Sequence, residues 1–226
     1  MKKQLTILLA IFIMASSVLA IINGMTPGRQ NEMDTSYEIG VKVEEGWNLL
    51  LGVGVVTDLS GGYIRGGDIQ IGDINTIWAF IPSTQEYARV YPDPETSKLQ
   101  SIDDDELLST AFWLHSDKAG YLRFQSEPIL NINQRNIYGG WNFVGISPEF
   151  RGRNFADIFT GCNVEKSYLY NNRIYSGHIS PSWDKIYGST AFSEDTEGVG
   201  FVVKVSNACK MTSTGTSTGA PPTLPK

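Results

Sequence analysis

Short apolar runs, separated by glycine-rich and polar turns, succeed one another along most of the chain. Examples are residues 47–56, 77–81 and 87–91, with turn residues at 58–62 and 82–86. Runs of this length, bounded by glycine, serine and aspartate, are typical of β-strands rather than helices. The pattern therefore predicts an edge strand near 37–43, a strand over 47–56, and a hairpin formed by 77–81 and 87–91.

The later apolar runs extend the same prediction. A strand over 111–115, a turn and a returning strand over 121–124 are expected, and then strands over 141–146, 167–170 and 200–205. Residues 154–159 predict a short helical turn. The acidic segment 103–108 favours another helical turn, with a solvated acidic turn and a calcium loop as alternatives. The EF-hand spacing and its central glycine are absent there, which argues against calcium.

The tripeptide Gly-Trp-Asn occurs at 46–48 and again at 140–142, and the apolar runs after each copy come in a similar order. Matching the two halves places Phe112 on Phe201 and Gly120 on Cys209. We therefore predict a mainly β fold built from two tandem related β-rich units, sandwich-like or barrel-like, with short helical turns. The units span 41–128 and 129–212, and a single merged sheet structure is the alternative.

The two ends of the chain differ from its middle. Residues 1–20 carry two lysines, an apolar run and small residues before position 21, which predicts a secretory signal peptide. The alternative, an uncleaved anchor, is disfavoured because the run is shorter than the roughly 20 residues of a spanning helix. Residues 21–40 are interpreted as a leader, and 213–226 as a disordered Thr/Ser/Gly/Pro tail. A secreted or cell-surface protein without a membrane span after cleavage is expected.

Export would place Cys162 and Cys209 where disulfides persist. One bridge is the simplest account of two cysteines, and two separate buried thiols are the alternative. A loop of this size predicts roughly 4 kcal/mol of stabilisation in the chain-entropy model. The net charge of −6 provides no general attraction to phosphate backbones, so no nucleic-acid partner is expected.

Residues capable of catalysis are sparse. The two histidines, His115 in an apolar strand and His178 in a loop, are interpreted as structural, and with the cysteines they form no zinc-binding pattern. The Ser-x-x-Lys spacing at 182–185 lacks the accompanying motifs of penicillin-binding enzymes. We therefore predict no catalytic residue, no metal and no cofactor.

Aromatic residues provide the one candidate for ligand recognition. Four of the five tryptophans lie in apolar runs and are predicted to belong to the core. The candidates expected to face a ligand, because polar or turn residues flank them, are Trp183, Tyr170, Tyr175 and Tyr187.

Segments 140–142, 146–149, 157–168 and 200–210 together resemble a "GWN" β-rich repeat of exported proteins from archaea and bacteria. Residues 46–124 resemble it more loosely and lack the cysteine pair. The resemblance implies that Cys162 and Cys209 are bridged. It also implies a structural or binding module of the cell envelope, and carries no known activity.

Three functions are expected from these patterns. The first is an exported cell-envelope protein that acts by structure or adhesion, without catalysis, with other envelope proteins or surface glycans as partners and self-association as a further option. The second is a carbohydrate-binding module. The third is a secreted hydrolase with a carboxylate pair, since the sequence holds 24 acidic residues.

Overall fold

The strands and helices of the protein are defined in a computed structural model that describes residues 37–52, 64–102, 110–126, 131–172 and 181–212. These residues all belong to one compact unit, Thr35–Lys226. The strands are β1 (Tyr37–Val43), β2 (Gly46–Leu51), β3 (Ile64–Gly67), β4 (Ile74–Ile81), β5 (Glu86–Tyr91), β6 (Ala111–Ser116), β7 (Gly120–Ser126), β8 (Asn136–Ile137), β9 (Gly140–Gly145), β10 (Val164–Asn171), β11 (Ser182–Lys185), β12 (Gly200–Val205) and β13 (Cys209–Lys210). The helices in these ranges are α1 (Thr96–Leu99) and α2 (Phe155–Ile158), with short 3-10 turns at Ile71–Asp73, Ile132–Gln134, Pro148–Phe150 and Glu194–Thr196.

The strands form antiparallel sheets, which confirms the predicted mainly β fold. The first sheet has the order β2-β6-β4-β5, and the second sheet has the order β9-β12-β10-β11. An outer sheet has the order β1-β7-β3, and β8 pairs with β13. The predicted strands 77–81, 87–91, 141–146, 167–170 and 200–205 correspond to β4, β5, β9, β10 and β12, and the helical turn predicted at 154–159 contains α2.

Three apolar clusters hold these sheets together, because every buried strand alternates side chains between its two faces. Between the first and second sheets lies an inner cluster of Leu49, Phe80, Ala111, Phe143 and Val202. A second cluster fills the space between the first sheet and the outer sheet, and a third covers the other face of the second sheet. The first and second sheets therefore have inner faces that pack on each other.

The prediction that 121–124 returns alongside 111–115 is wrong. Strand β7 pairs with β1 and β3, whereas β6 pairs with β2 and β4. The chain changes sheets after Ser116, which is fully buried and whose hydroxyl donates to the carbonyl of Lys118 at 2.7 Å. This bond satisfies a polar group at the crossing, so the turn at 116–120 connects two layers instead of closing a hairpin.

Each Gly-Trp-Asn segment forms the same local structure. Asn48 is buried, accepts the backbone N–H of Glu44 at 2.9 Å, and donates to the carbonyls of Glu44 and Gly46 at 2.8 and 3.0 Å. Asn142 makes the corresponding bonds to Tyr138 and Gly140, at 2.8, 2.8 and 3.1 Å. The glycine of each segment has a positive φ, 93° and 100° respectively. The positive φ favours glycine at this position, and the hydrogen bonds of the asparagine side chain stabilise the bend before the strand.

The first and second sheets also correspond in register. The cross-strand pairs match one another: Leu50 with Phe112 matches Val144 with Phe201, Trp78 with Trp113 matches Tyr168 with Val202, and Phe80 with Tyr87 matches Tyr170 with Trp183. Two isolated bridges join the sheets, Leu50 with Val199 and Thr110 with Val144, and they are equivalent under the same residue matching. Each pair or bridge in one sheet thus has an equivalent in the other, so the two sheets are approximately equivalent in pairing. That they are tandem copies of one unit stays a prediction.

The outer edge of β5 is covered by the segment after it. The backbone N–H of Glu95 donates to the carbonyl of Arg89 at 2.9 Å, and the N–H of Arg89 lies 3.4 Å from the Glu95 carboxylate. The ammonium group of Lys98 donates to the carbonyl of Tyr87 at 3.2 Å. Three backbone groups that would otherwise face solvent along this edge, of Tyr87 and Arg89, therefore have partners within the chain.

The disulfide between Cys162 and Cys209 is present, with 5.5 Å between the two Cα atoms, as predicted. It connects the loop after α2 to β13, on the outer side of the second sheet. The signal peptide 1–20, most of the leader 21–40, the turns at 58–62 and 103–108, His178 and the tail 213–226 were also predicted. These lie outside the described residues, except 37–40, which begin β1.

Candidate functional site

Trp183 and Tyr170, two of the predicted ligand-facing aromatics, lie side by side on the inner face of the second sheet. They are cross-strand partners on β11 and β10, and their ring centroids are 5.1 Å apart. Partners across antiparallel strands point to the same side of the sheet. The register therefore brings together two residues that are separated in sequence.

Trp113 of the first sheet joins this pair to the opposite sheet. Its ring centroid lies 4.7 Å from that of Tyr170, 5.9 Å from that of Trp183 and 6.1 Å from that of Trp47, each in an edge-to-face arrangement. Such geometries are favoured because the positive edge of one ring meets the negative face of another. Trp47, Trp113, Tyr170 and Trp183 form what we name the tryptophan patch.

The patch is open to solvent at two places. Trp47 is 41% exposed and Trp183 is 46% exposed, whereas Trp113 and Tyr170 are partly buried between them. Burial raises the pKa of the Tyr170 phenol above its ordinary value. The prediction that Trp47 belongs to the core is therefore wrong. Its strand begins at the rim of the sandwich, where the other sheet does not cover the ring.

Polar groups border the Trp47 side of the patch. The His115 ring packs edge-to-face on Trp47 at 5.0 Å, and the amide nitrogen of Asn75 lies 3.3 Å from its Nδ1 atom. The side-chain amide of Asn172 donates to the carbonyl of Trp47 at 2.7 Å. These bonds fix the ring of His115 and the backbone of Trp47. The patch thus combines flat apolar surfaces with hydrogen-bonding groups at their margin.

Tyr187 does not belong to the patch. It is 61% exposed, and its ring lies under the ammonium group of Lys185 at 5.3 Å. Tyr175, the fourth predicted residue, lies outside the described residues. Of the four candidates, the structure places Trp183 and Tyr170 together and leaves Tyr187 apart from them.

Trp47 and Trp113 were not among the sequence candidates, since both lie in apolar runs. The signal that could have found Trp113 is the alternation along β6, in which Trp113 and His115 point to the face opposite Phe112 and Leu114. Burial alternates in the same way, because Phe112 and Leu114 are fully buried whereas Trp113 and His115 are only partly so.

A small cavity lies elsewhere, where the turn between β4 and β5 approaches the second sheet. Its walls include Pro82, Thr110, Arg135 and Met211 and contain no carboxylate among the described residues. Burial lowers the pKa of Arg135 to about 10. Its guanidinium donates to the carbonyl of Gly145 at 2.9 Å and to the hydroxyl of Ser147 at 2.7 Å.

Within the described ranges, no group of three or more histidine, cysteine or acidic residues is arranged to hold a metal ion. No helix in the same ranges is long and apolar enough to cross a membrane.

Comparisons with protein-family models, with curated proteins and with solved structures find no match for this chain.

Proposed function

We propose that this chain is an exported protein of the cell envelope that acts by adhesion, without catalysis, through the tryptophan patch. The observation that carries the proposal is the exposure of Trp47 and Trp183 on a rigid support. Single exposed apolar side chains are common, but contiguous aromatic patches at a protein surface mark sites of interaction, and tryptophan is enriched at the centre of interfaces.

Two further observations support the proposal. The Cys162–Cys209 disulfide suits an oxidising compartment, as export requires. The patch rings are held by neighbouring rings from two sheets, so little conformational freedom remains to be lost on binding.

We also propose that the first and second sheets derive from one duplicated GWN-type unit. The identical bonding of Asn48 and Asn142 and the matched cross-strand pairs support this. A duplicated scaffold would leave each copy free to change its exposed side chains, because the buried asparagine and the strand register maintain the fold.

A carbohydrate-binding module is the second candidate, favoured by the polar margin of the patch. Sugar rings present an apolar face and a rim of hydroxyl groups, which matches a tryptophan ring bordered by His115 and Asn75.

The test compares adhesion by three variants of the purified protein. Trp47→Ala and Trp183→Ala should each reduce retention on whole-cell envelope preparations and on a neutral glycan array, because each removes an exposed ring. Tyr121→Ala is the matched control, since Tyr121 is 43% exposed, as the two tryptophans nearly are, and lies on β7 of the outer sheet, outside the patch. Equal retention by all three variants would reject the patch as the contact surface.

The glycan array separates the two candidates. Loss of envelope retention together with loss of binding to one neutral glycan would favour the carbohydrate-binding module. Loss of envelope retention when no glycan binds would favour a protein partner.

A further inference from the structure

A second surface lies on the inner face of the second sheet, toward the end away from the tryptophan patch. Lys166 of β10 is the direct cross-strand partner of Lys204 of β12, and Lys204 is the partner of Trp141. Lys185 of β11 is the partner of Tyr168, two positions along β10 from Lys166. We name these five residues the lysine platform.

The charges of the platform are poorly balanced by the protein itself. Lys204 pairs with Glu165 at 2.8 Å, and Lys185 lies over the Tyr187 ring. Lys166 is exposed and makes no ion pair with any residue in the described part of the chain. Like charges directly opposite each other across strands destabilise a sheet. The facing pair Lys166 and Lys204 is therefore unfavourable, and Glu165 compensates only the charge of Lys204.

The corresponding positions of the first sheet show that the fold tolerates other residues. There Lys166 is replaced by Thr76, Lys204 by His115 and Lys185 by Arg89, according to the matched registers. Thr76 donates its hydroxyl to the carbonyl of Tyr91 at 2.8 Å, so a neutral residue serves there. Three lysines at these positions are a property of the second sheet alone.

We infer that the lysine platform binds an acidic carbohydrate polymer, with the ammonium groups contacting its carboxylate or sulfate groups and the partly buried rings of Trp141 and Tyr168 contacting its sugar rings. The grouping of rings and cations on one face favours a ligand that offers both ring surfaces and negative charge. A duplex nucleic acid is a poorer fit. It carries a charge about every 1.7 Å and calls for a broad basic surface, whereas this protein has a net charge of −6.

The test measures binding of the purified protein to two acidic polymers, polygalacturonate for carboxylates and heparin for sulfates, with dextran as the neutral polymer. The variant combines Lys166→Gln, Lys185→Gln and Lys204→Gln. We expect the wild type to bind at least one acidic polymer, more weakly as salt increases, and the variant to lose roughly tenfold or more in affinity.

A matched control removes the same amount of charge elsewhere. It combines Lys42→Gln, Lys98→Gln and Lys118→Gln, three exposed lysines that pair with Glu44, Glu95 and Asp73. This variant should retain wild-type affinity. An equal loss in both variants, binding to neither acidic polymer, or binding to duplex DNA as tight as to the acidic polymers would each overturn the proposal.

A stability measurement separates this role from a structural one. Lys166→Gln removes a like-charge contact, so its Tm should equal or exceed that of the wild type while its polymer affinity falls. A lower Tm would contradict the inference. Because the platform shares no residue with the tryptophan patch, Trp47→Ala should leave polymer binding unchanged, and either proposal can fail without the other.

Discussion

The exposed ends of the two inner faces occupy corresponding positions and carry different chemistry. The first sheet presents Trp47, Trp78, Thr76, His115 and Arg89 where the second presents Trp141, Tyr168, Lys166, Lys204 and Lys185. One end is therefore rich in tryptophan and the other in lysine. The buried asparagines, the registers and the inter-sheet bridges correspond at the same time. The scaffold and the exposed side chains therefore vary independently in this fold.

The largest expected change in stability comes from removing the disulfide, which is present in the second half and has no counterpart in the first. Gly120, which pairs with Val43 in the first half, corresponds to Cys209, which pairs with Ile137 in the second. Replacing both cysteines with alanine should lower the free energy of unfolding by about 4 kcal/mol, because the unfolded chain is no longer cross-linked. Urea denaturation measures the change. A loss below about 1 kcal/mol would show that contacts alone hold the second half together.

The next largest change is expected on removing the buried asparagine of either Gly-Trp-Asn segment, and it shows whether the two segments contribute equally to stability. Asn48→Ala and Asn142→Ala should each cost about 2–3 kcal/mol, since each leaves backbone groups at a buried site without their partner. The two variants should agree within about 1 kcal/mol in urea denaturation. A large difference would mean that the matched hydrogen bonds conceal unequal surroundings, such as the additional contact of Asn172 with Asn48.

A smaller loss of stability is expected from overpacking at the centre of the inner faces, where Gly200 of the second sheet corresponds to Ala111 of the first. A methyl group on Gly200 would lie 2.4 Å from the Cβ atom of Ala111 and 2.7 Å from Cγ of Leu49. Gly200→Ala should therefore lower the free energy of unfolding by about 2 kcal/mol through overpacking. The double variant with Ala111→Gly moves the methyl group to the other sheet. It should recover part of the loss, and no recovery would contradict the near-symmetry of this contact.

The smallest expected effect is a change in the pKa of Tyr87, a β5 residue next to Trp113. Burial raises the pKa of Tyr87 above its ordinary value, and a hydrogen bond from the Trp113 indole acts in the opposite direction. Trp113→Phe should therefore raise the pKa of Tyr87 further, as an absorbance titration of the phenolate would show. Because the folded-state pKa is raised, the stability contributed by Tyr87 is complete below its unfolded pKa and is lost as pH rises through the folded pKa.

The strands were largely predictable from the sequence because their apolar runs are short and bounded by glycine. The hairpin of β4 and β5 is an example, since its turn is local. The pairing of β7 was not predictable, because whether a turn at 116–120 closes a hairpin or changes sheets depends on which face the next strand can bury. Local turn chemistry is the same in both cases.

The candidate site was predictable only in part. Trp183 was identified from its polar neighbours, which predict exposure. Trp47 was assigned to the core because it begins an apolar run, and only the packing of the two sheets shows that its ring lies at the rim. The lysine platform has no sequence signature, since Lys166, Lys185 and Lys204 are dispersed along the chain and meet through register alone.

The covered edge of β5 opposes the addition of strands from other copies of this protein at high concentration. An edge strand with unpaired amides can recruit a strand from another molecule and seed fibrils. At β5 the carbonyl of Tyr87 is already occupied by Lys98, and the N–H and carbonyl of Arg89 by Glu95. A strand from another molecule arriving at β5 must first displace these contacts, so even a concentrated solution of this protein is protected along this edge from growth into amyloid.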